Sequence, residues 1–254
     1  MASPESNIWP DGCLGAVSIS FDDGRPSQLE RAVPVLDERG LRATFYLPMR
    51  GENWREGYAP WVDVAANGHE IGNHTKSHTC SRNFSFRKDG TGLEEMTLEE
   101  IEADILEAED MLRELVPSQT ERTFCYPCYQ TFVGEGATRQ SYVPIVAKHF
   151  VAARSTGEVG WFNNPLKIDL HCLNCASYGH LSGIELIGQV ERAFQKRQWI
   201  ILTYHGIDAG KPAQEFVEMC NHLAERQGRI WTAPVVDVAR HVRDFRGSTM
   251  DTPE

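Results

Sequence analysis

The sequence has no long apolar run. No stretch approaches the roughly 20 apolar residues of a membrane span, and the first twelve residues, MASPESNIWPDG, lack the basic and apolar segments of a secretory signal. We therefore expect no membrane partner and a cytoplasmic location, with a secreted mature form left open. The 25 Lys and Arg against 36 Asp and Glu give a formal net charge of −11. A nucleic-acid partner is not expected of so acidic a chain.

Cysteine and flexible linkers are also scarce. Seven cysteines in 254 residues are too few, and odd in number, for a disulfide scaffold, and they favour a reducing compartment. No internal repeat, low-complexity segment or Gly/Ser linker divides the chain, so we predict one domain over residues 1–254. A chain of this length can bury a full core. Nothing in it indicates an oligomeric state.

Short apolar runs alternate with amphipathic helical patterns along the chain, which is typical of βα units around a parallel sheet. Thr97 and Glu100 form a capping box before the strongest helical pattern. We predict an α/β fold built around a parallel sheet. The predicted strands are 16–21, 43–47, 123–126, 150–153 and 199–204, and the predicted helices are 28–39, 98–116, 183–196 and 213–226.

Two adjacent carboxylates stand where the first apolar run ends. Asp22 and Asp23 lie between Phe21 and Gly24, and catalytic groups in α/β barrels collect at the carboxyl ends of strands. Like charges in a partly dry site repel each other, and a bound cation would relieve this. From these four residues alone, a solvated turn is an equally good interpretation.

Two histidines four residues apart change that balance. His74 and His78 follow a strand-like segment at 69–72, and in a helical turn both side chains would lie on one face, within reach of one ion. Two His and one Asp are common ligands of divalent metals. A capping or core role for either histidine is the alternative. Together with the carboxylate pair, the histidines predict a metal site.

The motifs carry a family resemblance. The segments 22–24 (DDG), 74–78 (HTKSH), 124–128 (FCYPC) and 202–206 (LTYHG) together resemble the polysaccharide deacetylase family, which contains the NodB-homology domain and is carbohydrate esterase family four. The resemblance covers about residues 17–206, with a helical part at 207–254. It implies a single distorted (β/α) barrel with about seven strands. It also implies a hydrolase that removes N-acetyl or O-acetyl groups from amino-sugar polysaccharides, oligosaccharides or xylan.

The resemblance implies a role for each motif residue. Asp23, His74 and His78 would bind one divalent metal ion, with zinc as the first expectation and cobalt or nickel also suited to these ligands. The ion would lower the pKa of water and polarise the acetyl carbonyl. Asp22 would be the base that takes the proton of the attacking water. His205 would be the acid that protonates the leaving amine, and a buried structural imidazole is its alternative role.

The third motif departs from the family's commonest pattern, Arg-Pro-Pro-Tyr. This chain reads CYPC at 125–128. By position, the backbone N–H of Cys128 would bind the oxyanion, a role that tolerates a change of side chain. In the common pattern the arginine holds the catalytic Asp, and we hypothesise that Arg154, after the next predicted strand, takes its place. The family's following motif, Asp-x-x-Asp-Trp, has no clear counterpart, and Trp161 is a poor substitute.

Two CxxC pairs offer another interpretation. Paired units such as Cys125/Cys128 and Cys172/Cys175 bind structural zinc when their loops are short, but here a long segment with an apparent strand separates them. A four-cysteine zinc site, a disulfide or redox pair, and unpaired thiols lining the cleft all stay open. Cys80, two residues beyond His78, is a further thiol that could interfere with a soft metal.

Other functions share part of the pattern. Two His and one carboxylate also form the facial triad of non-haem iron oxygenases, although those usually have a His-x-Asp/Glu arrangement on an all-β fold. A metal-dependent hydrolase of a small non-sugar amide, such as a ureide or formamide, is the main alternative. A sugar-binding module without catalysis ranks lower, because every group needed for hydrolysis is present.

The substrate is the least determined part of the prediction. Trp54, Tyr58, Trp61 and Trp161 lie in predicted loops and could stack on sugar rings, but packing in the core explains each of them at least as well. The negative net charge favours neutral or cationic glycans over uronic-acid polymers. We expect a carbohydrate or a small amide as the substrate.

Overall fold

A computed structural model describes residues 7–84, 92–155 and 157–250. Within these ranges eight strands form one parallel sheet, in the order β7-β4-β3-β2-β1-β9-β8, with β10 beside the first two residues of β1; β5 and β6 form a separate antiparallel pair. The strands are β1 (Ala16–Asp22), β2 (Thr44–Leu47), β3 (Glu70–Asn73), β4 (Phe124–Cys125), β5 (Phe132–Val133), β6 (Gln140–Ser141), β7 (Ala153–Arg154), β8 (Ala176–Ser177), β9 (Trp199–Tyr204) and β10 (Trp231–Thr232).

Helices cover the outside of the sheet. A π-helical turn at Gln28–Ala32 leads directly into the first of them, and short 3-10 turns lie at Pro10–Gly12, Pro127–Tyr129, Gly136–Thr138 and Leu170–Cys172. None of the helices in the described ranges combines the length and apolarity that crossing a membrane requires. The helices are α1 (Val33–Glu38), α2 (Trp54–Tyr58), α3 (Pro60–Ala66), α4 (Leu98–Leu115), α5 (Val143–His149), α6 (Gly183–Gln195), α7 (Lys211–Glu225) and α8 (Val235–Met250).

The predicted distorted (β/α) barrel is confirmed. Seven parallel strands lie side by side from β7 to β8, and the sheet curls. Between its two ends, Leu173 forms a parallel bridge with Arg154, three residues before β8 begins. The chain from Leu173 to β8 therefore spans the gap between β7 and β9. The distortion lies there, because only one residue pairs where a regular barrel would have a full strand.

The predicted strand at 150–153 begins later than expected. The Phe150 N–H still donates to the Val146 carbonyl at 3.1 Å, so the end of α5 reaches into the apolar run. Residues 150–152 therefore make the turn, and β7 starts at Ala153. The polar segment at 81–92 has no helix or strand where it is described, and its residues 85–91 lie outside the described ranges.

The two longest strands, β1 and β9, lie side by side in the sheet. Every residue of β1 and β9 is buried, as expected for central strands that are covered on both faces. The rings of Phe21 and Phe45 stack with their centroids 5.0 Å apart, and Tyr204 packs on Phe21 at 5.5 Å. This packing fixes the carboxyl ends of the strands, where the motif residues stand. The predicted capping box of α4 is also present, with Thr97 accepting from the Glu100 N–H.

Candidate active site

The motif residues meet at the carboxyl edge of the parallel sheet. Asp22, Cys125 and Arg154 are the last residues of β1, β4 and β7, while His74 and His205 directly follow β3 and β9. Parallel strands end at the same edge, so this edge collects side chains from distant parts of the chain.

Asp23, His74 and His78 face one another. Asp23 Oδ1 lies 3.8 Å from His74 Nε2 and 3.3 Å from His78 Nε2. The two imidazole rings are nearly perpendicular, with centroids 4.7 Å apart. One ligand atom from each residue lies within 4.8 Å of the other two, so one ion can contact all three.

Two observations test whether these side chains fit a metal ion. Asp23 Oδ1 is buried and accepts no hydrogen bond from the residues that the structure describes, a costly state that a cation would relieve. The His74 Nδ1–H donates to the Cys125 carbonyl at 2.8 Å, which leaves the Nε2 lone pair free toward Asp23, as in many metal-binding histidines. Two nitrogens and one carboxylate oxygen suit zinc and similar divalent ions. The residues therefore fit the ion that the resemblance implies.

The protonation states at this cluster also suit a metal. Burial is the main cause that lowers the pKa of His74, to about 4, so its imidazole is neutral near pH 7, as a ligand must be. Burial opposes the ionisation of Asp23, yet the nearby imidazoles of His78 and His74 and the Arg25 guanidinium hold the pKa of its carboxyl well below its usual range.

The segment from His74 to His78 is a loop, and the prediction of a helical turn is wrong. Thr75 and His78 both have left-handed backbone conformations, with φ of 61° and 49°, which a helix does not allow. The Asn73 Oδ1 accepts from the Thr75 N–H at 2.8 Å, and the His78 N–H donates to the Thr75 hydroxyl at 2.9 Å. These two bonds hold the turn that brings the imidazoles together.

Asp22 is paired with a buried arginine. Arg154 is fully buried, and its Nη2 donates to Asp22 Oδ1, while its Nη1 donates to the Thr203 hydroxyl at 2.9 Å. The guanidinium carbon also lies 4.9 Å from the centroid of the Tyr46 ring. Burial opposes the charge, but the Asp22 carboxylate raises the pKa of Arg154 further. Arg154 thus occupies the place beside Asp22 that the family's common pattern gives to another arginine.

Two thiols also contact the Arg154 guanidinium. Cys125 Sγ lies 2.9 Å from Arg154 Nη2 and 3.7 Å from Asp22 Oδ1, and Cys175 Sγ lies 3.3 Å from Arg154 Nη1. Burial raises the pKa of both thiols, so they are neutral acceptors near pH 7. Cys125 stands where the common motif has its arginine, and here it contacts the arginine that replaces it.

His205 lies at the open side of the cluster. Its side chain is 42% exposed, and its Nε2 is 3.9 Å from Asp22 Oδ2. The alternative role of a buried structural imidazole is therefore wrong. Sequence reasoning missed Gln28, whose Nε2 donates to the carbonyls of Asp22 at 2.6 Å and His205 at 2.7 Å. The sequence offered one feature that could have identified Gln28, which is its position at the start of a predicted helix shortly after the Asp pair.

Cys128 is joined to Cys80 by a disulfide, with 5.8 Å between the Cα atoms. Cys128 has a left-handed backbone, with φ of 52°. A four-cysteine zinc site is therefore wrong, because Cys128 pairs away from the second CxxC unit. The remaining cysteines are free: Cys13, Cys125, Cys172, Cys175 and Cys220.

The aromatic candidates for sugar stacking divide into two groups. Trp61 is fully buried against Phe45, with ring centroids 5.1 Å apart, so it is a core residue and not a stacking platform. Trp54 and Tyr58 are half-buried, and Trp161 is 55% exposed. These three rings remain available for contact with a ligand.

Known proteins share part of this sequence. The family model of the polysaccharide deacetylases matches residues 12–131, which include the Asp22/Asp23 pair, both histidines of the loop and Cys128. A curated chitin deacetylase from a Pestalotiopsis species is 36% identical over 64 residues, or 24% of this chain. That match spans only 21% of the length of the relative.

Solved structures share the fold at low sequence identity. A candidate polysaccharide deacetylase from Mycobacterium smegmatis has a TM-score of 0.65 at 15% identity, covering 100% of this chain and 96% of its own. One from Pseudomonas aeruginosa has a TM-score of 0.65 at 12% identity, covering 95% of each chain. A CE4 family pseudoenzyme from Bacillus anthracis has a TM-score of 0.54 at 14% identity, covering 88% of this chain and 65% of its own.

These structures show the fold alone, whereas the sequence matches carry the family. The resemblance seen in the motifs is therefore confirmed: residues 12–131 match the model of the polysaccharide deacetylase family.

Proposed function

We propose that this chain is a metal-dependent hydrolase that removes N-acetyl or O-acetyl groups from amino-sugar polysaccharides or oligosaccharides. The observation that carries the proposal is the buried Oδ1 of Asp23, which accepts no hydrogen bond among the described residues and faces the imidazoles of His74 and His78. When bound by these three residues, a divalent ion supplies a Lewis acid that lowers the pKa of water and polarises the acetyl carbonyl.

Asp22 takes the proton of the attacking water. Its Oδ1 is held by Arg154, so Oδ2 is the oxygen left to accept that proton. Arg154, fixed in turn by Thr203 and the two thiols, keeps the carboxylate in one orientation.

His205 gives a proton to the leaving nitrogen or oxygen. Its Nε2 lies 3.9 Å from Asp22 Oδ2, so base and acid are neighbours across the site. Because its side chain is 42% exposed, it can reach a substrate at the open side. Gln28 ties the backbones that carry the two residues together, which favours a constant distance between them. The backbone N–H of Cys128 would stabilise the oxyanion that forms on the acetyl oxygen.

The test measures acetate release from N-acetylated chito-oligomers, peptidoglycan fragments, acetylated xylan and a panel of small amides. We expect release from at least one of the sugars, abolished by a chelator and restored by zinc, cobalt or nickel. Release that is unaffected by removal of the metal would contradict the mechanism. Release from small amides alone would favour the ureide or formamide alternative.

A sugar-binding module is the second candidate, because one structural neighbour is a pseudoenzyme. The Asp22→Asn variant separates the two functions. We expect it to lose at least about 100-fold in turnover, the contribution of a general base, while it keeps its metal. The matched control is Asp63→Asn, which changes an exposed carboxylate of α3. Sugar binding without acetate release, equal in both variants, would favour the module.

A further inference from the structure

The imidazole of His78 faces two different clusters of ligand atoms. Its Nε2 points to Asp23 Oδ1 at 3.3 Å, and its Nδ1 lies 3.8 Å from Cys80 Sγ. One ligand atom each from His78, Cys80 and Cys128 lies within 4.8 Å of the other two. This second group is called the thiol cluster below. The sulfur atoms of Cys80 and Cys128 have no part in the proposed hydrolysis.

We propose that reduction of the Cys80–Cys128 disulfide opens a second metal site. In this site Cys80 Sγ, Cys128 Sγ and His78 Nδ1 bind a thiophilic divalent ion such as zinc or cobalt. Two thiolates, one imidazole and one exchangeable water form a common tetrahedral zinc environment. The inference goes beyond the proposed function, and it holds whether or not the chain hydrolyses acetyl groups.

The disulfide itself keeps the site closed. Bonded sulfurs are about 2.05 Å apart, whereas two sulfurs bound to one tetrahedral zinc, each about 2.3 Å from it, are roughly 3.7 Å apart. After reduction the two sulfurs can part by rotation about the Cα–Cβ bonds. The ligand atoms, already within 4.8 Å of one another, need only small shifts to reach that geometry.

Contacts beside the disulfide keep the ligands together once the bond is broken. The Ser81 N–H donates to the Gln130 Oε1 at 2.6 Å, which links the residue after Cys80 to the second residue after Cys128. Cys80 is fully buried, while Cys128 and His78 are half-buried. Two buried thiolates are stable only when a cation balances their charge. The partial exposure of Cys128 and His78 gives the ion a way in.

The chemistry balances with a dithiol as the reductant. The dithiol gives two electrons and two protons to the disulfide, becomes a disulfide itself and leaves two cysteine thiols. When the ion binds, two S–metal bonds replace two S–H bonds, and two protons go to the solvent.

The experiment uses Co²⁺ as the probe, with the full chain in its oxidised and reduced forms under anaerobic conditions. Reductant is removed before titration, and thiolate-to-cobalt charge transfer is read in the near ultraviolet. We expect the reduced protein to develop the band and to bind one more ion per chain than the oxidised protein, which should show no band. Thiol counts in denaturant should give five before reduction and seven after it.

Variants assign the band to the thiol cluster. Cys80→Ser and Cys128→Ser should each abolish it, whereas Cys172→Ser should keep it. Both disulfide variants are compared by far-ultraviolet circular dichroism with the reduced wild type, which equally lacks the bond. A band that survives in Cys80→Ser, an equal band in the oxidised protein, or no band in the reduced protein would overturn the proposal. Asp23→Asn removes a ligand of the first metal site only, so it should keep the band. Loss of hydrolysis and loss of the thiol site therefore give different results.

Discussion

At the scale of single residues, the buried pair of Asp22 and Arg154 has the largest consequence. We expect Arg154→Ala to lower turnover by at least about 100-fold, because Asp22, the proposed base, loses the guanidinium that holds its carboxylate in one orientation. Breaking one half of a buried pair also costs about 3–5 kcal/mol of stability. Metal content should be unchanged, because Asp23, His74 and His78 remain.

The matched control for this prediction is Arg122→Ala. Arg122 is also buried, and it pairs with Glu109 at 2.9 Å, away from the edge where the motif residues meet. This variant should lose comparable stability and keep the turnover of its folded fraction. Near-normal turnover in Arg154→Ala would show that Asp22 does not depend on the guanidinium.

The lowered pKa of His74 predicts how the stability of the metal-free protein depends on pH. Burial lowers its pKa from 6.5 to about 4, so between these values the unfolded chain binds a proton that the folded chain does not. The free energy of unfolding should therefore fall as the pH drops from about 6.5 to about 4, by up to ~3 kcal/mol. Burial also lowers the pKa of His69, which adds in the same direction. Urea unfolding in chelator across this range measures the effect. An undiminished fall in His74→Gln would count against this origin.

At the scale of elements, β3 approaches its neighbours closely at Gly72. A Cβ added there would lie 2.5 Å from Tyr46 Cδ1 and 3.2 Å from the Thr123 carbonyl. Gly72→Ala should therefore cost about 1–3 kcal/mol, the range for overpacking. Turnover should also fall, because the displaced Tyr46 ring packs on the Arg154 guanidinium.

A second glycine gives the contrast. A Cβ at Gly188, inside α6, would meet none of the described residues within 4 Å. Gly188→Ala should be neutral or stabilise the chain by up to about 1 kcal/mol, since alanine is the better helix former. Equal thermal unfolding and equal turnover of the two variants would show that the contact at Gly72 does not matter.

Much of the element pattern was predictable because long elements have strong periodicity. The runs at 16–21 and 199–204 became β1 and β9, and the capping box gave the start of α4. The two-residue strands β8 and β10 could not be predicted, because so short a segment shows no alternation. Their places come from pairing with β9 and β1, a tertiary effect.

The site was predictable in its residue types and less so in its shape. The motifs named the residues that the structure brings together, since those types carry the chemistry. The left-handed turns at Thr75 and His78 left no trace in the sequence, because neither position is a glycine. The Cys80–Cys128 pair and the bridging Gln28 depend on contacts between distant segments, which local patterns do not report.

At the scale of the whole molecule, the formal net charge of −11 predicts a response to salt that depends on the substrate. For partly deacetylated, cationic chito-oligomers, kcat/KM should fall as ionic strength rises, because screening weakens long-range attraction. For fully acetylated, neutral oligomers of the same length it should change little. The same salt dependence for both substrates would show that net charge does not steer binding.

The disulfide also determines how the molecule would respond to a cut in its chain. Cys80 and Cys128 are 48 residues apart, and α4 lies between them. A protease that cleaved one peptide bond in this interval would leave a single covalent molecule, with the two pieces still tethered beside His78. Only a reductant would let them separate, so a nicked protein would migrate as one band in a non-reducing denaturing gel and as two bands after reduction.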